Sequence, residues 1–88
     1  MFEWDEAKRL STLQERGLDF IDAVAIFDGR PVIHAVAKNS EEERIVSVAV
    51  IKNKCFAVVW TWRGKVRRII CFRRARDGEE KKYHALYN

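Results

Sequence analysis

The sequence predicts an α+β fold of two layers: two N-terminal helices packed on a four-stranded antiparallel sheet, with a C-terminal helix (order ααββββα). Three observations predict it. Apolar residues recur with a period near 3.6 as far as Phe27 and with a period of 2 from Val32 onward. The run Asp28-Gly29-Arg30-Pro31 breaks the chain between the two regimes. The breaks at Lys52-Asn53-Lys54 and Arg63-Gly64 have the length and residue types of hairpin turns, which join antiparallel neighbours.

The elements follow in order. Asp5 is placed to cap a first helix whose apolar positions are Ala7, Leu10 and Leu13, and Gly17 to stop it. Asp19 is placed to cap a second helix through Phe27, with Phe20, Ala23, Val24 and Phe27 on one face. A short strand over Val32–Ala37 and a polar loop over Lys38–Glu43 come next. Three longer strands follow over Arg44–Ile51, Cys55–Trp62 and Lys65–Arg73. In the last, Val66, Arg68, Ile70 and Phe72 are expected on one face, and Lys65, Arg67, Ile69, Cys71 and Arg73 on the other. Asp77 and Glu80 have capping-box spacing for a final helix reaching Leu86.

With 88 residues the chain is expected to form a single domain, residues 1–88. A chain of this size buries roughly 60–65% of its unfolded surface, so its core is thin. Two cysteines are too few for a disulfide scaffold. No stretch has the pattern of a secretory leader or a membrane span, so cytoplasmic residence with reduced thiols is expected.

The charge is divided. Residues 1–51 hold six Lys/Arg against ten Asp/Glu, and residues 52–88 hold eleven against three. The segment Arg63–Arg76 has seven cations in fourteen residues, six of them arginine, and no acid. Its cations alternate with apolar residues as on a half-buried strand. Planar guanidinium groups grip phosphate or carboxylate oxygens in pairs, so the segment points to a polyanion. Gly-rich phosphate loops, paired catalytic carboxylates and a Ser-His-Asp order are missing from the chain. Cys55 and Cys71 lack the histidine spacing of a zinc site, and no metal or cofactor is expected.

Several short motifs resemble one family in their order and spacing. They are Phe2-Glu-Trp-Asp-Glu-Ala-Lys8, Gly17-Leu-Asp-Phe20, Glu42-Glu-Arg44, Thr61-Trp-Arg-Gly64, Arg68-Ile-Ile70, Arg73-Arg-Ala75 and Tyr83. Together they look like the BrnT family, the toxin halves of bacterial type II toxin–antitoxin pairs, from residue 2 to about residue 87. The resemblance implies a ribonuclease toxin with a RelE-like fold. It also implies a partner antitoxin with a ribbon-helix-helix domain, through which alone operator DNA is contacted.

Metal-free RNA cleavage uses the ribose 2′-hydroxyl as nucleophile, so the protein must orient it and stabilise charge growing on phosphorus. Arg63, Arg68, Arg73 and Arg74, at positions that match the family, are the candidate catalytic residues. Lys8, Lys65, Arg67, Arg76 and Tyr83 are the candidate RNA-binding residues, with Arg67 and Arg76 outside the family pattern and suited to diffuse attraction. Glu43 is a candidate base only if burial raises its pKa.

There are departures from the family. It commonly shows Asn where this chain has Thr12, Lys-His where it has Glu15-Arg16, and often Ser where it has Cys71. An arginine does not release a proton near neutrality and so cannot replace that histidine in acid–base work. The alternative expectation is therefore an impaired family member that binds antitoxin and RNA without turnover.

Overall fold

The computed structural model describes residues 1–39 and 42–87. It is a mixed α+β structure with one five-stranded sheet and three α-helices. The elements are β1 (Phe2–Trp4), α1 (Glu6–Arg16), α2 (Phe20–Ala23) continued by a 3-10 turn (Val24–Phe27), β2 (Ile33–Asn39), β3 (Glu42–Ile51), β4 (Lys54–Arg63), β5 (Val66–Arg74) and α3 (Asp77–Tyr87). The strand order is β1-β5-β4-β3-β2.

The expected four-stranded antiparallel sheet is corrected on one point. Phe2–Trp4 forms a fifth strand, parallel to β5, with Phe2 opposite Arg67 and Trp4 opposite Ile69. Three residues are too few to display a period in sequence. Pairing is what makes them a strand. The expected loop over Lys38–Glu43 is also shorter than predicted, because the β2–β3 ladder runs out to Asn39 opposite Glu42. Residues 40 and 41 of that loop lie outside the described residues.

Local signals explain the helices. The Asp5 carboxylate accepts from the Ala7 and Lys8 amides at 2.9 and 3.4 Å, and Gly17 closes α1 in the left-handed region at φ 68°. Arg9 then joins the two helical segments. Its guanidinium binds Glu6 at 2.7 and 2.8 Å and both oxygens of the α2 cap Asp19 at 3.1 Å. Arg9, with the Trp4 indole N–H, holds the Glu6 carboxyl down at about 2. The apolar stripe expected on α1 does not face the sheet fully: Leu10 and Leu13 are exposed and Thr12 is the buried residue. In the second helix Phe20, Ala23 and Ile26 are buried. That spacing of three suits the tighter 3-10 turn into which α2 runs, and the expected Val24 and Phe27 are half-buried and pack against the same core.

The main core lies between the sheet and the α2 segment, built on Phe20, Ile26, Phe56, Val58, Trp60, Ile69 and Phe72. Each of these large side chains contributes about 1.5–3 kcal/mol by leaving water. A smaller cluster on the other sheet face, Val48, Cys55, Ala57 and Tyr83, seats α3. Both cysteines are free thiols.

The β4–β5 register shifts between Val59 and Trp60: Cys71 pairs with Val59 and Ile69 with Trp60, leaving Ile70 as the extra residue. Strict alternation through β5, expected from sequence, is thereby corrected. Ile69 and Phe72 share one core face although three residues apart. Across the bulge Arg67 and Arg74 lie on the α2 side, against aromatic rings, while Arg73 lies on the α3 side. The bulge decides where each arginine points.

Candidate active site

Five cations converge on one cleft of about 550 Å³: Arg16, Lys54, Arg73, Arg74 and Arg76 line it with Leu18 and Phe56. They come from four places in the chain, namely the last turn of α1, the start of β4, the end of β5 and the residue preceding α3. No carboxylate lines the cleft among the described residues.

Each arginine is held differently. Arg74 lays its guanidinium carbon 5.4 Å from the Phe56 ring centre and donates Nε to the Cys55 carbonyl at 3.3 Å. Ring and carbonyl fix its direction without neutralising its charge. Arg73 donates Nη1 and Nη2 to the two Glu79 oxygens at 2.8 and 2.9 Å, with a further contact from Nη1 to the Arg74 carbonyl at 3.2 Å. Those bonds raise the Arg73 pKa and lower that of Glu79. Arg16 brings Nη1 to 4.0 Å from Cys71 Sγ, so two positions that depart from the family resemblance touch one another.

Glu79 also accepts the Arg76 backbone N–H at 2.8 Å. The capping carboxylate of α3 is therefore Glu79, one residue earlier than the sequence spacing places it. The Arg76 side chain lines the cleft, with no salt bridge among the described residues, while its backbone anchors the helix.

The remaining site candidates lie elsewhere. Arg63, Arg68 and Lys8 line a second, smaller cavity of about 190 Å³ together with Asp5, Glu42 and Arg44. Arg68 binds Glu3 at 2.8 Å, and Arg63 lies 3.4 Å from Glu42. This cavity is a mixed-charge cluster, in contrast to the carboxylate-free cleft. Lys65 is exposed beside the Gly64 turn. Arg67 lies on an aromatic bed, its guanidinium carbon 4.7–5.9 Å from the ring centres of Phe27, Trp62, Trp60 and Phe2. Its Nε is sealed from solvent without a hydrogen-bond partner among the described residues. Tyr83 is buried against the sheet and donates its hydroxyl to the Pro31 carbonyl at 3.2 Å. Glu43 is exposed at the start of β3.

Of the nine sequence-derived candidates, then, Arg73, Arg74 and Arg76 meet in one concavity. Two members of that concavity, Arg16 and Lys54, were not among the candidates. Arg16 stood out in sequence only as a departure from the family and Lys54 only as a turn residue. The available signal was their position at chain reversals, where side chains from distant segments meet.

Among the described residues no group of three or more His, Cys, Asp or Glu is arranged to hold a metal ion. No helix is long and apolar enough to cross a membrane. The chain has no significant match among curated proteins. The family described as "Ribonuclease toxin, BrnT, of type II toxin-antitoxin system" matches residues 4–79, a span that runs from the last residue of β1 into the first turn of α3 and contains every residue lining the cationic cleft. This chain belongs to the BrnT family of ribonuclease toxins of type II toxin–antitoxin systems.

Proposed function

We propose that this chain is an endoribonuclease toxin that cleaves RNA without a metal, with the cationic cleft as its phosphate site. The observation that carries the reading is the convergence of Arg16, Lys54, Arg73, Arg74 and Arg76 on a concavity free of carboxylate. The 2′-oxygen attacks the adjacent phosphorus, the bond to the 5′-oxygen breaks, and a 2′,3′-cyclic phosphate and a 5′-hydroxyl result. As the phosphorane forms, charge grows on two non-bridging oxygens. Arg74, fixed by Phe56 and the Cys55 carbonyl, is set to receive one, with Arg73 beside it. A divalent cation is disfavoured in a cleft lined by five like charges, and the guanidinium groups take its place. Arg63, Arg68 and Lys8 then serve as a second contact for the RNA backbone, with Lys65 and Arg76 adding attraction that salt screens.

The test is cleavage of RNA by purified protein in chelator, with the product ends identified. Cyclic phosphate ends, lost in the Arg73→Ala/Arg74→Ala double variant while the fold persists, are expected. Full activity in that variant would remove the site from consideration.

The partner in this reading is an antitoxin with a ribbon-helix-helix domain, which alone contacts operator DNA, in the bacterial cytoplasm. An acidic antitoxin segment lying across Arg73–Arg76 and α3 would inhibit by occupying the phosphate site. The RelE-like relationship implied by the resemblance belongs to the same reading. A second reading is supported by Arg16, which lines the cleft at the position where the resemblance implies histidine. In it the protein binds RNA and antitoxin but does not turn over. An inert wild type together with a cutting Arg16→His variant would establish it.

A further inference from the structure

Beside the cationic cleft lies another cavity, of about 420 Å³, and the two share Leu18, Lys54 and Phe56. Its walls are largely apolar, with Ala25, Ile51 and Phe72 adding to Leu18 and Phe56. Asp22, on the exposed side of α2, is the one carboxylate lining either cavity among the described residues. It forms no salt bridge within the described chain, unlike the neighbouring cap Asp19, which Arg9 holds.

We propose that this cavity is a nucleobase subsite that selects guanine through Asp22; the inference rests on the cationic cleft being the phosphate site. A base hangs one ribose away from its phosphate, so a phosphate held by Arg73 and Arg74 delivers the adjoining base to the next concavity. Apolar walls suit the faces of a flat ring. A carboxylate supplies two acceptors and no donor. Guanine alone presents two adjacent donors, N1–H and the N2 amino group, to match them. Adenine and cytosine each set one amino donor beside a ring-nitrogen lone pair, which the carboxylate repels. Uracil sets its N3–H between two carbonyl oxygens. The wrong bases thus leave acceptors unpaired or opposed, which is the usual origin of strong discrimination. Lys52 and Lys54, the other charged residues of this cavity, supply donors for the guanine acceptors or the flanking phosphate.

Two measurements on the purified full chain test this. Oligouridines carrying a single central G, A or C are cleaved, and guanosine 3′- and 5′-monophosphates are titrated against their adenosine, cytidine and uridine counterparts. The wild type should cut next to G, and bind the guanosine nucleotides, at least about fivefold better than the others. Asp22→Ala should erase that preference while cutting at uridine is unchanged. Asp22 is exposed and leaves the core untouched when truncated. Equal cutting at all bases, or a guanine preference that survives Asp22→Ala, overturns the inference and leaves the nuclease reading standing. Such a result would suit a pocket for a basic side chain of a protein partner. If no RNA is cut but an Asp22-dependent preference for guanosine nucleotides remains, the subsite stands and the nuclease reading falls. Absence of both overturns the subsite.

Discussion

Arg73 and Glu79 meet in a two-point ion pair, Nη1 to Oε1 at 2.8 Å and Nη2 to Oε2 at 2.9 Å, that ties the end of β5 to the first turn of α3. The guanidinium proposed above to contact phosphate is therefore shared with a carboxylate in the free protein. Glu79→Gln should release part of that fork and remove one negative charge beside the cleft. RNA binding at low salt should tighten, with a steeper salt dependence. Stability should fall by about 1–2 kcal/mol, because a charge-assisted bond is lost. Filter binding and thermal melting check the two arms, and weaker RNA binding in Glu79→Gln would count against Arg73 as a phosphate contact.

The same pair sets a pH dependence. Arg73 holds the Glu79 carboxyl below its ordinary value of 4.5, so its folded pKa lies under its unfolded one. A depressed carboxylate stabilises fully above the unfolded pKa, and that contribution fades as pH falls through the folded value. The melting temperature should therefore drop on acidification below about 4.5, with a shallower drop in Glu79→Gln. Identical acid slopes in the two proteins would show that the pair adds nothing to stability.

Arg74 and Arg73 separate function from folding. Arg74 is exposed and forms no salt bridge among the described residues, so Arg74→Ala should leave the melting temperature within a few degrees of wild type. Loss of a positioned contact to the phosphorane should lower cleavage by about 10²–10³. Arg73→Ala should match it in activity and be less stable, since Glu79 is left without its partner. A single-turnover rate for Arg74→Ala within about threefold of wild type would rule out the transition-state role.

Arg67 shows the opposite balance. Four aromatic rings within 5.9 Å surround its guanidinium carbon, and Trp62 keeps 49% of its surface open above it. Arg67→Ala should destabilise the fold by about 1–3 kcal/mol through lost ring contacts and packing, with little change in the cleavage rate. Arg67→Lys should recover less than half of it, because an ammonium does not stack as a plane. A large rate loss with an unchanged melting temperature would instead make Arg67 an RNA contact.

How much of this was legible in sequence depends on how far the cause reaches along the chain. The caps Asp5 and Gly17 act within one helical turn, and both stand where the sequence places them. The Lys52-Asn53 turn is equally local, with both residues at positive φ (49° and 67°) between the paired Ile51 and Lys54. By contrast, β1 exists only because Phe2–Trp4 finds the β5 edge more than sixty residues away. The Ile69-Ile70 pair offers two equivalent apolar residues where the bulge falls, so the sequence does not say which one turns inward. That ambiguity hid which face of the sheet each of Arg73 and Arg74 takes. Arg68 illustrates the other gap: its partner Glu3 lies on β1, the strand that periodicity does not reveal.

The cleft also dictates how rate depends on pH. Its lining is Arg, Lys, Leu and Phe, none of them a residue type that ordinarily exchanges a proton near neutrality. The bonds to its partner Glu79 push Arg73 further upward, outweighing the opposite pull of burial. With no such group among the described residues lining the cleft, the proposed reaction gives the 2′-hydroxyl proton to hydroxide or solvent. The logarithm of the single-turnover rate should then climb with pH at a slope near one, without the two-limbed bell of an acid–base pair. Arg16→His places an imidazole, ordinarily titrating near 6.5, on the wall of the same cleft. That variant should be faster below neutrality by about 10²-fold and should bend to a plateau as the imidazole loses its proton. A bell in the wild type would mean that a titrating side chain from outside the cleft's lining reaches the reacting phosphate, and would overturn the hydroxide-driven step.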